Sequence, residues 1–325
     1  MRAAVLARRF GNPLEVLEVA PVVGQPLGSN EVAVRMIASP INPSDLIPVT
    51  GAYASRTTLP FIPGFEGVGV VDGCGDECTL SAGQRVIPIG SAGGWQTIKV
   101  LPPKWCIPVP VDIDDAAAAT AYINPLTAVR MVTQHADSGD VRTAVVNAAG
   151  SAISGTIARL LRQRGIRTIG LGRHPEPQTH KRAGYWTEYL DTSREIGLRR
   201  LMHQDLLSEI DLAFDCVGGD EGTLLATSLR EGGRLIHYGL LSGQPLSPFL
   251  QHQRPDIRIE YFRLRDWVHT TRREDLLKAF AEVFELIRQG HLRTDIRAEF
   301  PLGKALEAIR TSTQDATSGK ILLRP

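Results

Sequence analysis

The sequence predicts an α/β protein in two parts, a β-rich domain followed by a doubly wound, parallel-sheet domain. Three observations carry this. Before Asp114 the chain is a series of short strand-like segments punctuated by Pro and Gly. After Asp114 strand-like and helix-length segments alternate, the pattern of parallel strands with right-handed crossovers. The closing KILLRP is strand-like again, so the tail is expected to rejoin the first domain.

The elements follow in order. Ala3–Leu6 reads as a first strand, and Glu31–Ile37, Gly67–Val71 and Arg85–Ile89 as further short strands. The intervening stretches look like turns, marked by Pro40, Pro43, Gly51, Pro60, Pro63 and Gly64. Asp115–Thr120 and Thr127–His135 look helical, and Thr143–Asn147 is a strand. Ser154–Arg164 is a helix, with Ile157, Leu160 and Leu161 on one face beside Ile153. Thr168–Gly172 and Asp211–Cys216 are strands. Glu221–Arg230 is a helix closed by Gly232 and Gly233, and Arg234–Tyr238 is the next strand. Glu274–Arg288 is expected to be the final helix, its apolar face built by Leu276, Leu277, Phe280, Val283, Phe284 and Ile287. The domains are expected over 1–121 with 272–325, and over 122–271. That layout predicts a cleft where a ligand can be held.

Length and charge narrow the function. The 325 residues suffice for two domains of roughly 100–200 residues each. A net charge of +1 supplies no global field toward nucleic acid or anionic membranes. No apolar run reaches the roughly 18–20 residues of a membrane span, and MRAAVLARRF lacks the apolar core of a signal peptide. A cytoplasmic protein without nucleic-acid or membrane partners is expected. Cys74 and Cys78 have no second close pair to complete a four-cysteine zinc site, and read as two solvated thiols.

The segment Val145–Gly155, VVNAAGSAISG, stands where a dinucleotide-binding turn would carry G-x-G-x-x-G. Gly150 can serve the tight turn. Ala152 and Ser154 are small enough for a slightly wider approach to a pyrophosphate, and Ser151 adds a hydroxyl at the helix start. Alone, the motif suits a cofactor turn and a plain strand-to-helix turn equally. The next strand ends at Arg173, where an NAD site would place an acid on the ribose. Arginine cannot accept that bond, but its fork can clamp a 2′-phosphate.

Several segments together resemble the medium-chain dehydrogenase/reductase superfamily, and in particular its 2-enoyl thioester reductase branch. They are INPSDL (Ile41–Leu46), Gly51-Ala52-Tyr53, LPFIPGFEGVG (Leu59–Gly69), NPLTAVRMV (Asn124–Val132), CVGG (Cys216–Gly219), RLRDW (Arg263–Trp267) and SGKILL (Ser318–Leu323). The likeness spans essentially the whole chain. It implies a GroES-like catalytic domain and a Rossmann-type domain binding NADPH. That branch commonly has N-A-x-N-S-G-V-G at the turn, so Ala152 and Ser154 replace glycines and add small side chains at the phosphate approach. The resemblance puts Arg173 on the 2′-phosphate. It further implies cofactor contacts from Asn42, Asn124, Thr127, Gly150, Ser151, Ala152, Ile153, Tyr238, Gly239, Leu240, Leu241, Phe262, Arg263, Leu264 and Lys320, and a homodimer formed by pairing the edges of two cofactor sheets.

Zinc-dependent members use an early Cys and a Gly-His-Glu. Here the stretch is Gly64-Phe65-Glu66, and no Cys precedes Cys74. No metal is expected, and Glu66 is expected to be a structural carboxylate. Without a metal, reduction of an enoyl thioester needs a proton donor for the α-carbon. Tyr53 is the candidate, since a phenol with a pKa near ~10 keeps its proton at neutral pH. The substrate is then an acyl thioester of CoA or acyl carrier protein. Arg263 stands where enoyl reductases commonly have an aromatic residue. Two alternatives share the fold: an NADPH:quinone oxidoreductase, which needs no donor tyrosine, and a non-catalytic NADPH-binding protein.

Overall fold

The computed structural model describes residues 2–24, 26–137, 139–173, 184–193, 209–314 and 319–325. The described chain forms two compact units, residues 1–126 with 265–325, and residues 127–264. Residues 122–126 and 265–271, read from sequence as part of the second domain, pack with the first unit.

The first unit opens with β1 (Ala3–Ala7), which pairs antiparallel with β2 (Leu17–Pro21). β3 (Val32–Pro40) is the long central strand of a second sheet, with β4 (Val68–Cys74), β5 (Arg85–Pro88), β6 (Ile98–Leu101) and β7 (Cys106–Pro108). Several elements there are absent from the sequence reading, β2, β6 and β7 among them, and so is the helix Pro43–Thr50. Pro43 begins it, where a missing N–H costs nothing, and the Asp45 carboxylate accepts the Asn42 amide at 2.7 Å. Pro and Gly at both ends conceal an eight-residue helix behind loop-like composition. Trp95 is fully buried, packed with Val5, Ala7, Ile41 and Val49.

In the second unit, β8 (Thr143–Val146) leads into the helix Ala152–Gln163. β9 (Arg167–Gly172), β10 (Glu188–Asp191), β11 (Leu212–Asp215), β12 (Arg234–His237) and β13 (Arg258–Tyr261) follow. The order is β10-β9-β8-β11-β12-β13, every neighbouring pair parallel. This is the Rossmann order, and it reverses between β8 and β11. Its strands alternate with helices because Val145, Ile169, Ala213 and Leu235 are wholly buried beneath apolar residues such as Leu225 and Leu229.

The chain then returns to the first unit. The helix Arg273–Arg288 is not the last: β14 (Ile296–Pro301), the helix Ala305–Gln314 and β15 (Lys320–Arg324) come after it. ALEAIRTSTQ is short and half polar, so its apolar stripe of Ala305, Ala308 and Ile309 is inconspicuous in the sequence. β15 pairs parallel with β14 and antiparallel with β3, so the tail joins the sheet of β3 and returns to the first unit. Among the described residues no helix is long and apolar enough to cross a membrane.

Candidate active site

Asn42, Tyr53, Asn124 and Lys320 lie in the first unit, and the other expected site residues in the second.

In the first unit a buried polar cluster joins β15 to the start of the helix Pro43–Thr50. Asn42 is 2% exposed and its side-chain amide donates to Glu66 Oε1 at 2.8 Å. The Lys320 ammonium donates to the Asn42 side-chain oxygen. The second oxygen of Glu66 accepts the Ile123 amide at 2.7 Å, fixing the turn Tyr122–Leu126 that carries Asn124. Asp45, wholly buried, accepts the Asn42 and Phe65 amides. Burial pushes the Asp45 carboxyl up to about 7 and raises that of Glu66 against its hydrogen bonds. Burial also lowers the Lys320 ammonium, while Glu66 and Asp45 pull it back.

This cluster bears on two expectations. Asn42 bonds to both Lys320 and Glu66, and the Lys320 ammonium is attracted to Glu66, so their protein contacts hold the cluster together. The eight-residue helix Pro43–Thr50, about 12 Å long, stands between Asn42 and the loop of Tyr53. The donor set also fails to fit a catalytic zinc, which takes three protein ligands. Both Glu66 oxygens are hydrogen-bonded and an ammonium stands beside them. Among the described residues no three His, Cys, Asp or Glu side chains converge as a metal site.

Tyr53 precedes a short 3-10 turn, Ala54–Arg56, and is 43% exposed. The Arg56 guanidinium stacks over its ring, 4.7 Å from the centroid. Its main-chain oxygen accepts the Thr57 hydroxyl at 2.9 Å, and among the described residues its phenol oxygen has no protein partner. Cys74 and Cys78 differ from expectation. They are half-buried beside Cys106, and the Cys74 thiol donates to Leu80 O at 3.4 Å.

In the second unit the turn after β8 is tied inward. Ser151 caps the helix Ala152–Gln163, its hydroxyl accepting the Ser154 amide at 3.3 Å. Ser154 is wholly buried and its hydroxyl donates to Asn147 O at 2.8 Å. The sequence reading put this side chain at the phosphate approach, and that is corrected: the hydroxyl turns into the protein and braces the turn. Ala148 is held at φ 46°, a left-handed conformation that costs an alanine roughly 1–2 kcal/mol. Gly150, Ser151, Ala152 and Ile153 remain partly exposed, and the first amides of the helix lack intrahelical acceptors. Such a terminus can cradle a pyrophosphate. Arg173 is exposed just beyond β9, and its guanidinium attracts the Glu221 carboxylate, whose pKa burial nonetheless raises.

Sequence reasoning missed the group that joins the strand ends. Asp215, wholly buried at the end of β11, accepts the Asn147 side-chain amide at 2.6 Å and the Val217 and Gly218 amides at 2.9 and 3.0 Å. Its other oxygen meets His237 Nδ1 at 2.6 Å. The residue just before CVGG was the available signal. Beyond β12, a Cβ on Gly239 would lie 2.9 Å from Cys216 O, so glycine is required there by packing alone. Tyr238 buries its phenol beside Cys216, and burial raises its pKa well above the usual value. Leu240 and Leu241 are exposed. Phe262 is buried and donates its amide to His237 O at 3.0 Å, while Arg263 is exposed and Leu264 half-buried. Thr127 is buried at the start of the helix Thr127–Ala136.

Residues 28–111 match the alcohol dehydrogenase GroES-like domain, and residues 195–323 match zinc-binding dehydrogenase. The mitochondrial enoyl-[acyl-carrier-protein] reductase of Bos taurus is 30% identical, the alignment covering 98% of this chain and 88% of that protein. Its Xenopus tropicalis counterpart is 31% identical, covering 97% and 93%. The chain belongs to the medium-chain dehydrogenase/reductase superfamily. Among solved structures, a Bacillus thuringiensis protein assigned as an NADPH:quinone reductase is 34% identical with a TM-score of 0.91, covering 100% of this chain and 99% of that one. A mutant form of the Candida tropicalis enoyl thioester reductase, 21% identical with a TM-score of 0.80, covers 100% and 99% and shares the fold. This superfamily member is an oxidoreductase of the reductase type.

Proposed function

We propose that this protein is an NADPH-dependent, zinc-independent reductase of an activated carbon–carbon double bond, acting on a 2-enoyl thioester of CoA or acyl carrier protein. The observation that carries the reading is the match of nearly the whole chain to enoyl-[acyl-carrier-protein] reductases, together with a half-exposed tyrosine in the G-x-Y loop. A reduced nicotinamide, when bound, supplies a hydride to the β-carbon of the enoyl group. The chain's own part is to hold the cofactor and deliver a proton. The helix start at Ser151–Ile153 receives the pyrophosphate, and Arg173 receives the 2′-phosphate through a charge-assisted fork. Tyr53 gives its phenolic proton to the α-carbon, and solvent reprotonates it because the side chain is open to water. Neither step needs a metal, in keeping with a Glu66 already occupied by Asn42 and Ile123.

A second reading, NADPH:quinone oxidoreductase, is favoured by the Bacillus thuringiensis likeness. The discriminating experiment follows NADPH oxidation with crotonyl-CoA and with a simple quinone. Turnover of crotonyl-CoA that depends on Tyr53 supports the enoyl reading. Turnover of quinone alone, indifferent to Tyr53, replaces it. Binding of NADPH with neither activity leaves the non-catalytic alternative. The homodimer belongs to the same proposal, through the open edge of β13, where Tyr261 is 68% exposed.

A further inference from the structure

We propose that His237 is a cofactor-binding residue: with Nδ1 held by Asp215, its Nε2 accepts a hydrogen bond from a ribose hydroxyl of the nicotinamide dinucleotide. This rests on the cofactor reading above and adds a residue and a contact to it.

The tautomer follows from the bonds around Asp215. One carboxylate oxygen already accepts three N–H groups, from Asn147, Val217 and Gly218. Against the penalty of burial, these and the His237 contact keep the carboxyl below its usual value. An ionised carboxylate has no proton to give, so His237 Nδ1 must donate across the 2.6 Å contact. In the neutral imidazole the lone pair then lies on Nε2. That atom is a directed acceptor, and among the described residues the ring has no second hydrogen-bond partner.

The ring is also fixed in place. Tyr261 meets it edge-on, with centroids 5.5 Å apart. A Cβ at Gly218 would lie 3.5 Å from Cε1. A Cβ at Gly222 would lie 2.5 Å from the Asp215 carboxylate, so the helix Gly219–Thr227 closes over the pair with no space to spare. Yet the His237 side chain keeps 11% of its surface accessible. It ends β12, at the carboxyl edge of an open parallel sheet, where ligands of such sheets bind.

An acceptor needs a ligand that donates. The pyrophosphate carries no proton and is excluded. A dinucleotide offers ribose hydroxyls and the nicotinamide carboxamide. We commit to the hydroxyl, and the test separates the two.

The test is direct binding of NADPH and of 2′-phospho-ADP-ribose, which keeps the ribose hydroxyls but lacks the carboxamide, to wild type, His237→Asn and His237→Gln. The asparagine amide reproduces Nδ1 and keeps Asp215 bonded but has no atom at Nε2. Glutamine restores a polar atom there. His237→Asn is expected to melt near wild type and bind both ligands about tenfold more weakly, the worth of one hydrogen bond. His237→Gln is expected to recover to within about threefold of wild type. A folded His237→Asn that binds both ligands like wild type overturns the inference, as does a glutamine variant with no recovery. A loss confined to NADPH gives the contact to the carboxamide and overturns the ribose assignment. Failure of the wild type to bind either NADPH or NADH defeats the cofactor reading itself, a different result from any of these.

Discussion

Tyr53 and Arg173 carry the proposed chemistry, and each has a substitution that isolates its part. Tyr53→Phe removes the acid but keeps the ring under the Arg56 guanidinium. Turnover of crotonyl-CoA is expected to fall about a hundred- to ten-thousandfold, the usual worth of general acid catalysis. NADPH affinity should stay within about twofold, because the loss falls on the chemical step. Steady-state kinetics with a cofactor titration measures both, and full turnover would remove the donor assignment. Arg173→Ala is expected to weaken NADPH about ten- to a hundredfold and leave NADH nearly unchanged, since a charge-assisted pair contributes about 1.5–3 kcal/mol. Equal losses for both nucleotides would place the 2′-phosphate elsewhere. These two residues stood out in the sequence because each sits inside a local motif. Asp215 and His237 did not: they are 22 residues apart, and only the parallel pairing of β11 with β12 makes them neighbours.

The turn from β8 into the helix Ala152–Gln163 shows what motif reading misses. Its strand and helix were legible from a small, β-branched run followed by a 3.6-residue period. The direction of each side chain was not. Ser154, in place of a family glycine, looked like an intrusion on the phosphate, yet its hydroxyl bonds to Asn147 O inside the protein. Ser154→Gly, which restores the family residue, is therefore expected to destabilise the protein. The lost hydrogen bond and a helical glycine together amount to about 1.5–2.5 kcal/mol. Denaturant unfolding measures this, and an unchanged midpoint would show that the serine braces nothing. The helix Pro43–Thr50 escaped for a related reason. Its cap is made by Asp45, whose carboxylate also reaches Phe65 twenty residues on, so the signal that starts it is tertiary. The Asn42–Glu66–Lys320 cluster is less legible still, because β15 brings Lys320 from 278 residues away.

Buried charge is also expected to give the protein's stability an unusual dependence on pH. Two side chains in the first unit sit almost without water: Asp45, pushed by burial up to about 7, and Lys99, pushed by burial down to about 7. Lys99 is 2% exposed and its ammonium donates to Pro88 O and Ser91 O at 3.0 and 2.7 Å. Their effects on stability have opposite slopes. A carboxyl raised on folding holds a proton that the unfolded chain has lost, so its contribution falls as pH rises from 3.8 to about 7. An amine lowered on folding has lost a proton that the unfolded chain keeps, so its contribution rises with pH from about 7 to 10.5. Each spans at most about 5 kcal/mol, at 1.36 kcal/mol per pKa unit. The two together are expected to give stability a minimum near neutrality, where paired surface charges alone would give a broad maximum. Asp45→Asn removes the acid-side slope, and Lys99→Met removes the alkaline one. The methionine also leaves two carbonyls without a donor, so it is expected to be less stable than wild type by about 1–3 kcal/mol. Denaturant midpoints between pH 4 and 10 for the three proteins test this. Parallel curves for wild type and Asp45→Asn below pH 7 would mean that Asp45 is ionised in the folded state, its two backbone amides outweighing its burial.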